Sequence, residues 1–263
     1  MDDLALALTM KRLTVWLDQA WQPAGFVSKQ YDGAPFGRCY VGIDPNRQSQ
    51  YASGNRNRIH LCGAEPGLRP EGLAQLVDQF TAAGVTRFFV WLSPSPDMDV
   101  VRGWLAQAGF VPRMQWNRYP TLVRTSLDPP PFRTELVVRE ATAGDLAAAH
   151  AAVGDMMWGE YERSFGKDGF THFMAFDGAR PVAIATLAVF EGLGYLTLAT
   201  TAEGDRKRGA QSALIAARIA KARALGCTAV ATETLTMLEH SLRNLERAGF
   251  RVAYEKEVYE WSA

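Results

Sequence analysis

Tyr195-Leu196-Thr197-Leu198-Ala199-Thr200-Thr201-Ala202-Glu203-Gly204-Asp205-Arg206-Lys207-Arg208-Gly209-Ala210-Gln211-Ser212-Ala213-Leu214-Ile215 reads as a buried strand that runs through a short turn into a helix. The strand is expected at 194–201. The helix is expected at 209–225, with its apolar face at Leu214, Ile215, Ile219 and Ala222. Between them stand three consecutive cations, Arg206, Lys207 and Arg208, followed by a glycine. The first turn of a helix presents N–H groups without intrahelical acceptors and the positive end of the helix dipole, so this junction suits a phosphate or pyrophosphate. It ends in no Gly-Lys-Ser/Thr and contains no Gly-x-Gly-x-x-Gly, which sets it apart from the common nucleotide loops. A solvated basic turn before an ordinary helix fits the same residues.

Upstream, Asp177-Gly178 between two apolar runs predicts a hairpin joining strands 171–176 and 181–190. A strand is expected at 136–140, and Thr142 with Asp145 reads as a helix start. Downstream, Gly226 stops the helix, a strand follows at 228–233, and Asn244-Leu245-Glu246-Arg247-Ala248-Gly249-Phe250 leads to a last strand at 253–261. The same order occurs about 140 residues earlier. A helix at 70–83 stops at Gly84, an apolar strand follows, and Trp104-Leu105-Ala106-Gln107-Ala108-Gly109-Phe110 leads to a strand at 116–124. Between the two copies lies Ser126-Leu127-Asp128-Pro129-Pro130-Pro131-Phe132, whose prolines suit neither a helix nor a central strand. The expected organisation is therefore two domains, 1–125 and 135–263, joined by a linker at 126–134. Each is a mixed, mostly antiparallel α/β sheet flanked by helices.

The chain has 263 residues, with 28 basic and 28 acidic side chains, so no net charge draws it to nucleic acid or an anionic membrane. Its three cysteines are scattered and its four histidines form no i,i+4 pair, so neither a disulfide scaffold nor a metal site is expected. The acidic N-terminus and the lack of a long apolar run lead us to expect a soluble, cytoplasmic protein without membrane partners. Tyr51–Arg58 is polar and basic and reads as an exposed loop.

Arg206-Lys207-Arg208-Gly209-Ala210-Gln211 at the start of the helix, with Ala248-Gly249-Phe250 and an aromatic final strand, resembles the GNAT acetyltransferase superfamily. The likeness covers 136–263 in full and about 70–124 in part, as in a tandem GNAT protein. It implies acetyl-CoA as cosubstrate, without a metal. Ala199, Thr200 and Thr201 would pair through their backbones with the pantetheine arm. Arg206, Lys207, Arg208, Gly209, Ala210 and Gln211 would hold the pyrophosphate, and Asn244 would reach the arm. Glu233 would act as general base and Tyr254, or else Tyr259, as proton donor; Glu191 is a further candidate base. Trp158, Glu160 and Tyr161 would line the acceptor pocket. Gln211 stands where the superfamily has a small residue, Lys207 where many members have glycine, and Leu245 where many have a tyrosine acid.

In the first half, Cys62-Gly63-Ala64-Glu65-Pro66-Gly67-Leu68-Arg69-Pro70 precedes the helix, with no basic cluster. A degenerate domain that does not bind coenzyme is expected there. The resemblance implies acetyl transfer to an amine of a small molecule or peptide. A non-catalytic acyl-CoA-binding or regulatory module is the alternative, and a nucleotide-binding protein a weaker third. A homodimer stays open as an assembly. Gly209→Asp is expected to abolish coenzyme binding and leave the fold intact.

Overall fold

The computed structural model describes residues 2–21, 25–49, 56–62, 67–113, 119–155 and 157–263. Most of the Tyr51–Arg58 loop, Gly63–Pro66 and the start of the expected strand at 116 lie outside the described residues. The chain divides into two compact units. Unit 1 comprises Met1–Pro120, Leu235–Met237 and Tyr254–Ala263; unit 2 comprises Thr121–Thr234 and Leu238–Ala253.

Unit 1 carries α1 (Asp3–Trp21), β1 (Val27–Gln30), β2 (Tyr40–Ile43), β3 (Arg58–Cys62), α2 (Pro70–Ala82), β4 (Arg87–Ser93), α3 (Met98–Gln107) and β5 (Val111–Pro112). Its sheet runs β1-β2-β3-β4, and the strand beside β4 is β12 (Arg251–Ser262), which also pairs with β5. Among the described strands of this unit only β3 and β4 are parallel, in register Ile59 to Val90, as expected for two strands joined through the crossover helix α2. One face buries Val41, Ile59, Leu61, Val90 and Leu92 against Leu73, Leu76 and Phe80 of α2 and Val101 and Leu105 of α3. Helix α1 packs on β3, with Leu6, Met10, Leu13 and Leu17 buried.

Unit 2 takes Thr121–Arg124 of β6 (Tyr119–Arg124) and adds β7 (Val137–Glu140), α4 (Leu146–Val153), α5 (Trp158–Ser164), β8 (Phe170–Asp177), β9 (Arg180–Phe190), β10 (Leu193–Thr201), α6 (Ala210–Ala224), β11 (Ala229–Glu233) and α7 (Glu239–Arg247). The order is β7-β8-β9-β10-β11-β6, with β10 and β11 as the parallel pair around α6. Leu214, Ile215, Ile219 and Ala222 of α6 lie in its core with Val182, Leu187, Leu196 and Val230. The expected hairpin turns at Gly178, with φ of 59°. The Asp145 carboxylate accepts hydrogen bonds from both the N–H and the hydroxyl of Thr142, both at 2.7 Å.

Both units therefore have the same plan: antiparallel strands, a parallel strand–helix–strand crossover, and one antiparallel closing strand. The helix stops match as well. Gly84, Gly109, Gly226 and Gly249 all have positive φ, and the residue after each donates back to the carbonyl five residues earlier, as Phe110 does to Leu105 and Phe250 to Leu245.

The linear division at 126–134 does not match the compact units, because the closing strands are exchanged. Strand β6, from the first half of the sequence, pairs with β11 in unit 2, Thr121 opposite Glu233. Strand β12, from the second half, pairs with β4 in unit 1, Tyr259 opposite Val90. The physical reason is that β4 and β11 each need one antiparallel neighbour, and β12 supplies it to β4 while β6 supplies it to β11.

Candidate functional site

The junction between β10 and α6 is built by a fault in the sheet. Strand β10 follows β11 in parallel only from Leu193 to Leu196, where Leu196 stands opposite Thr232. It then runs on to Thr201 beside β9 alone, with a register shift between Thr197 and Thr200. Leu198 takes φ of 48° at this bulge, a strained value for a residue with a branched side chain. The strands part at this point, and Ala199, Thr200 and Thr201 lie on the stretch that β11 has left. Thr232 fastens the last common rung, donating its hydroxyl hydrogen to Leu196 O at 2.8 Å.

Beyond the short turn Glu203–Asp205, Lys207 and Gly209 both have positive φ, and Gly209 caps α6. Among the described residues, the backbone amides from Lys207 to Ser212 find no acceptor; the first to find one is Ala213, on Gly209 O. These orphan donors at a helix start can hold an anion. The cations around them differ in state. Arg206 and Lys207 are exposed. The Arg208 guanidinium is held by Asp205 at 2.7 Å and Asp177 at 2.8 Å, and Arg180 grips Asp205 with two hydrogen bonds. Hydrogen bonds from Arg180 and Arg208 hold the Asp205 carboxyl down at about 2. The Arg208 charge is thus already matched by carboxylates of its own chain.

Gly209 has a neighbour that the sequence did not reveal. A Cβ placed on it would stand 2.4 Å from Arg133 O and 3.0 Å from Thr134 Cβ. The linker crosses there, with the Thr134 hydroxyl donating to Arg208 O at 2.7 Å. The glycine makes room for the linker's backbone, so the expectation that Gly209→Asp leaves the fold intact is corrected.

Gln211 and Asn244 meet. The Asn244 amide donates to Gln211 Oε1, tying α7 to the first turn of α6, and Arg247 donates in turn to Asn244 Oδ1. Leu245, at the position of the usual tyrosine acid, is buried in the core with Ala248 and Phe250.

Glu233 is half-buried at the end of β11, level with the point where β10 diverges. Its Oε1 accepts from the Thr121 hydroxyl at 2.9 Å and its Oε2 from the Tyr195 hydroxyl at 3.4 Å. Thr121 and Tyr195 are residues that sequence reasoning missed. Tyr195 had a signal, since strand alternation puts it on one face with Thr197 at the end of the quoted strand. Thr121 had none, because it arrives with the exchanged strand. Tyr254 is buried on β12 within unit 1, and Tyr259 there donates to Glu257 at 2.7 Å. Burial, followed by that carboxylate, pushes the Tyr259 phenol up to about 12. Glu191 sits in the β9–β10 turn, at the opposite end of β10 from Ala199. Trp158 and Tyr161 are buried in an aromatic stack with His150.

In unit 1 the end of β3 and the start of α2 are built differently. Strands β3 and β4 stay paired to Cys62 and Ser93. Helix α2 starts with Pro70, which lacks an N–H, and Glu71 adds a negative charge. Pro35 O lies 2.1 Å from where a Cβ on Gly72 would stand, so the chain itself covers this helix start. Among the described residues, no group of His, Cys, Asp and Glu is placed to hold a metal, and no helix is long and apolar enough to cross a membrane.

No family model and no curated protein matches the chain. Solved structures do. A GCN5-related N-acetyltransferase from Kribbella flavida is 17% identical with a TM-score of 0.65, covering 100% of this chain and 97% of that one. A second, from Sphaerobacter thermophilus, is 16% identical with a TM-score of 0.60, covering 98% and 93%. A tandem GNAT protein from the clavulanic acid biosynthesis pathway is 10% identical with a TM-score of 0.62, covering 94% and 86%. The fold is that of a tandem GCN5-related N-acetyltransferase.

Proposed function

We propose that unit 2 binds acetyl-CoA at the β10–α6 junction and transfers its acetyl group to an amine of a small molecule or peptide. The observation that carries this reading is the parting of β10 from β11 immediately ahead of a helix whose first amides have no acceptor. A pantetheine arm is an extended chain of amides, and it fits an exposed strand edge as an added strand would. A pyrophosphate fits the amides of Lys207–Ser212, with Arg206 and Lys207 as the cations still exposed there. When bound, acetyl-CoA supplies the activated acyl carbon.

The chain's own groups do the rest. Backbone at Ala199–Thr201 orients the arm. Glu233, fixed by Thr121 and Tyr195, accepts the proton that an incoming ammonium must lose before it can attack. With Leu245 in the core, solvent protonates the departing thiolate. Unit 1 closes its own helix start and takes no coenzyme. A cytoplasmic location and a free choice of dimer or monomer accord with this reading.

A second reading, a non-catalytic acyl-CoA-binding module, draws on the burial of Leu245. Release of free thiol from acetyl-CoA with a panel of amines tests the two. Turnover supports transfer, tight coenzyme binding without turnover supports the module, and absence of binding overturns both.

A further inference from the structure

Arg218 lies mid-helix in α6, is 3% exposed, and is surrounded on its helix by the core residues Leu214, Ile215 and Ile219. Among the described residues no carboxylate pairs with it. Its guanidinium makes three hydrogen bonds, all to backbone carbonyls: Nε to Leu214 O at 3.0 Å, and Nη1 to Thr186 O and Thr197 O, both at 3.3 Å. Burial without a countercharge pushes it down to about 9. An apolar side chain of similar length would fill this position without the desolvation penalty, so the charge calls for a reason.

The two strand carbonyls supply one. Thr186 of β9 and Thr197 of β10 form the last regular pair before the register shift, and the next pair is Ile184 with Thr200. A bulge interrupts the ladder and strands buried carbonyls that need a donor. One guanidinium nitrogen serves both, and Nε ties it to its own helix.

We infer that Arg218 is a positioning residue which holds the bulge at Thr197–Thr200 open, so that β10 parts from β11 and presents its edge to the coenzyme arm. Its effect on binding rests on the coenzyme reading above; its hold on the bulge does not.

The test uses the full chain with Arg218→Met, which keeps length and burial, and Arg218→Lys, which keeps a donor for one carbonyl. Hydrogen exchange of the unliganded protein should rise at least tenfold at the amides of 197–201 in Arg218→Met, with β11 and the middle of α6 unchanged. Affinity for acetyl-CoA should fall tenfold or more. Affinity for adenosine 3′-phosphate 5′-diphosphate, the nucleotide half alone, should stay within twofold, because it touches only the helix start. Arg218→Lys should lie between, and it is read in the same way if the methionine variant does not fold. Unchanged exchange at 197–201, or an equal loss for both ligands, would overturn the inference. Failure of the wild type to bind either ligand would overturn the coenzyme reading, and the exchange measurement would still decide what Arg218 does.

Discussion

The backbone carbonyl of Arg133 occupies the space over the α-carbon of Gly209, 2.4 Å from where a Cβ would stand. Gly209 also has φ of 85°. Gly209→Ala should therefore destabilise the unliganded protein, by at least about 1–2 kcal/mol for the left-handed conformation, with the displaced linker adding to it. Urea unfolding measures this, and an unchanged midpoint would show that the linker does not rest on α6.

Acid should weaken the fold through buried histidines. Burial pushes His172 down to about 4, and His60 is held well below its ordinary value by burial and by the nearby cations Arg58, Lys256 and Lys11. Between pH 6.5 and 4 the unfolded chain binds the proton and the native His172 does not, so stability falls as pH falls through that window. His172 alone should cost about 2 kcal/mol by pH 5. Urea midpoints at pH 7 and pH 5 should differ, and His172→Gln should reduce the difference.

Glu233→Gln retains the hydrogen bond from Thr121 and removes the proton acceptor. Under the proposed function, acetyl transfer should drop by about 10²–10⁴-fold with coenzyme affinity unchanged. Steady-state kinetics with parallel calorimetry separates the two quantities. A variant with full turnover would remove Glu233 as base.

Calorimetry should find one acetyl-CoA per chain. The paired strands, Pro70 and the covered first turn of α2 leave unit 1 without the features that suit unit 2 to an anion. Two equivalent sites would contradict this.

Residues 1–125 and 135–263 produced separately should each fail to fold, since each lacks the other's closing strand. Mixed together, they should regain native circular dichroism. Independent folding of either piece would mean that the exchange is dispensable.

What the sequence shows and hides follows from the range of each interaction. Gly226 and Gly249 stop their helices through bonds a few residues long, and Asp177-Gly178 turns a hairpin on itself, so local reading places them. Helix α6 is equally legible, because its apolar spacing is internal to it. Arg208 reads as a free cation until Asp177, a residue on another strand's end, closes on it. Gly209 reads as a place where a phosphate nears the backbone, and only the fold shows the Arg133 carbonyl packed against the Cβ side of its α-carbon. Thr121 reaches Glu233 from the neighbouring strand and Arg218 reaches Thr197 from helix α6, and no local pattern marks either.

The exchanged strands also bear on the order in which the protein takes shape during synthesis. Domains ordinarily fold as units, the N-terminal one first, while the ribosome is still at work. Here β4 waits for β12, so unit 1 must remain with an open edge while all of unit 2 is being made. Translation has to pass β12 before the first unit is complete. An unpaired β4, apolar from Phe88 to Leu92, is the exposed surface that a chaperone would have to shield in the meantime.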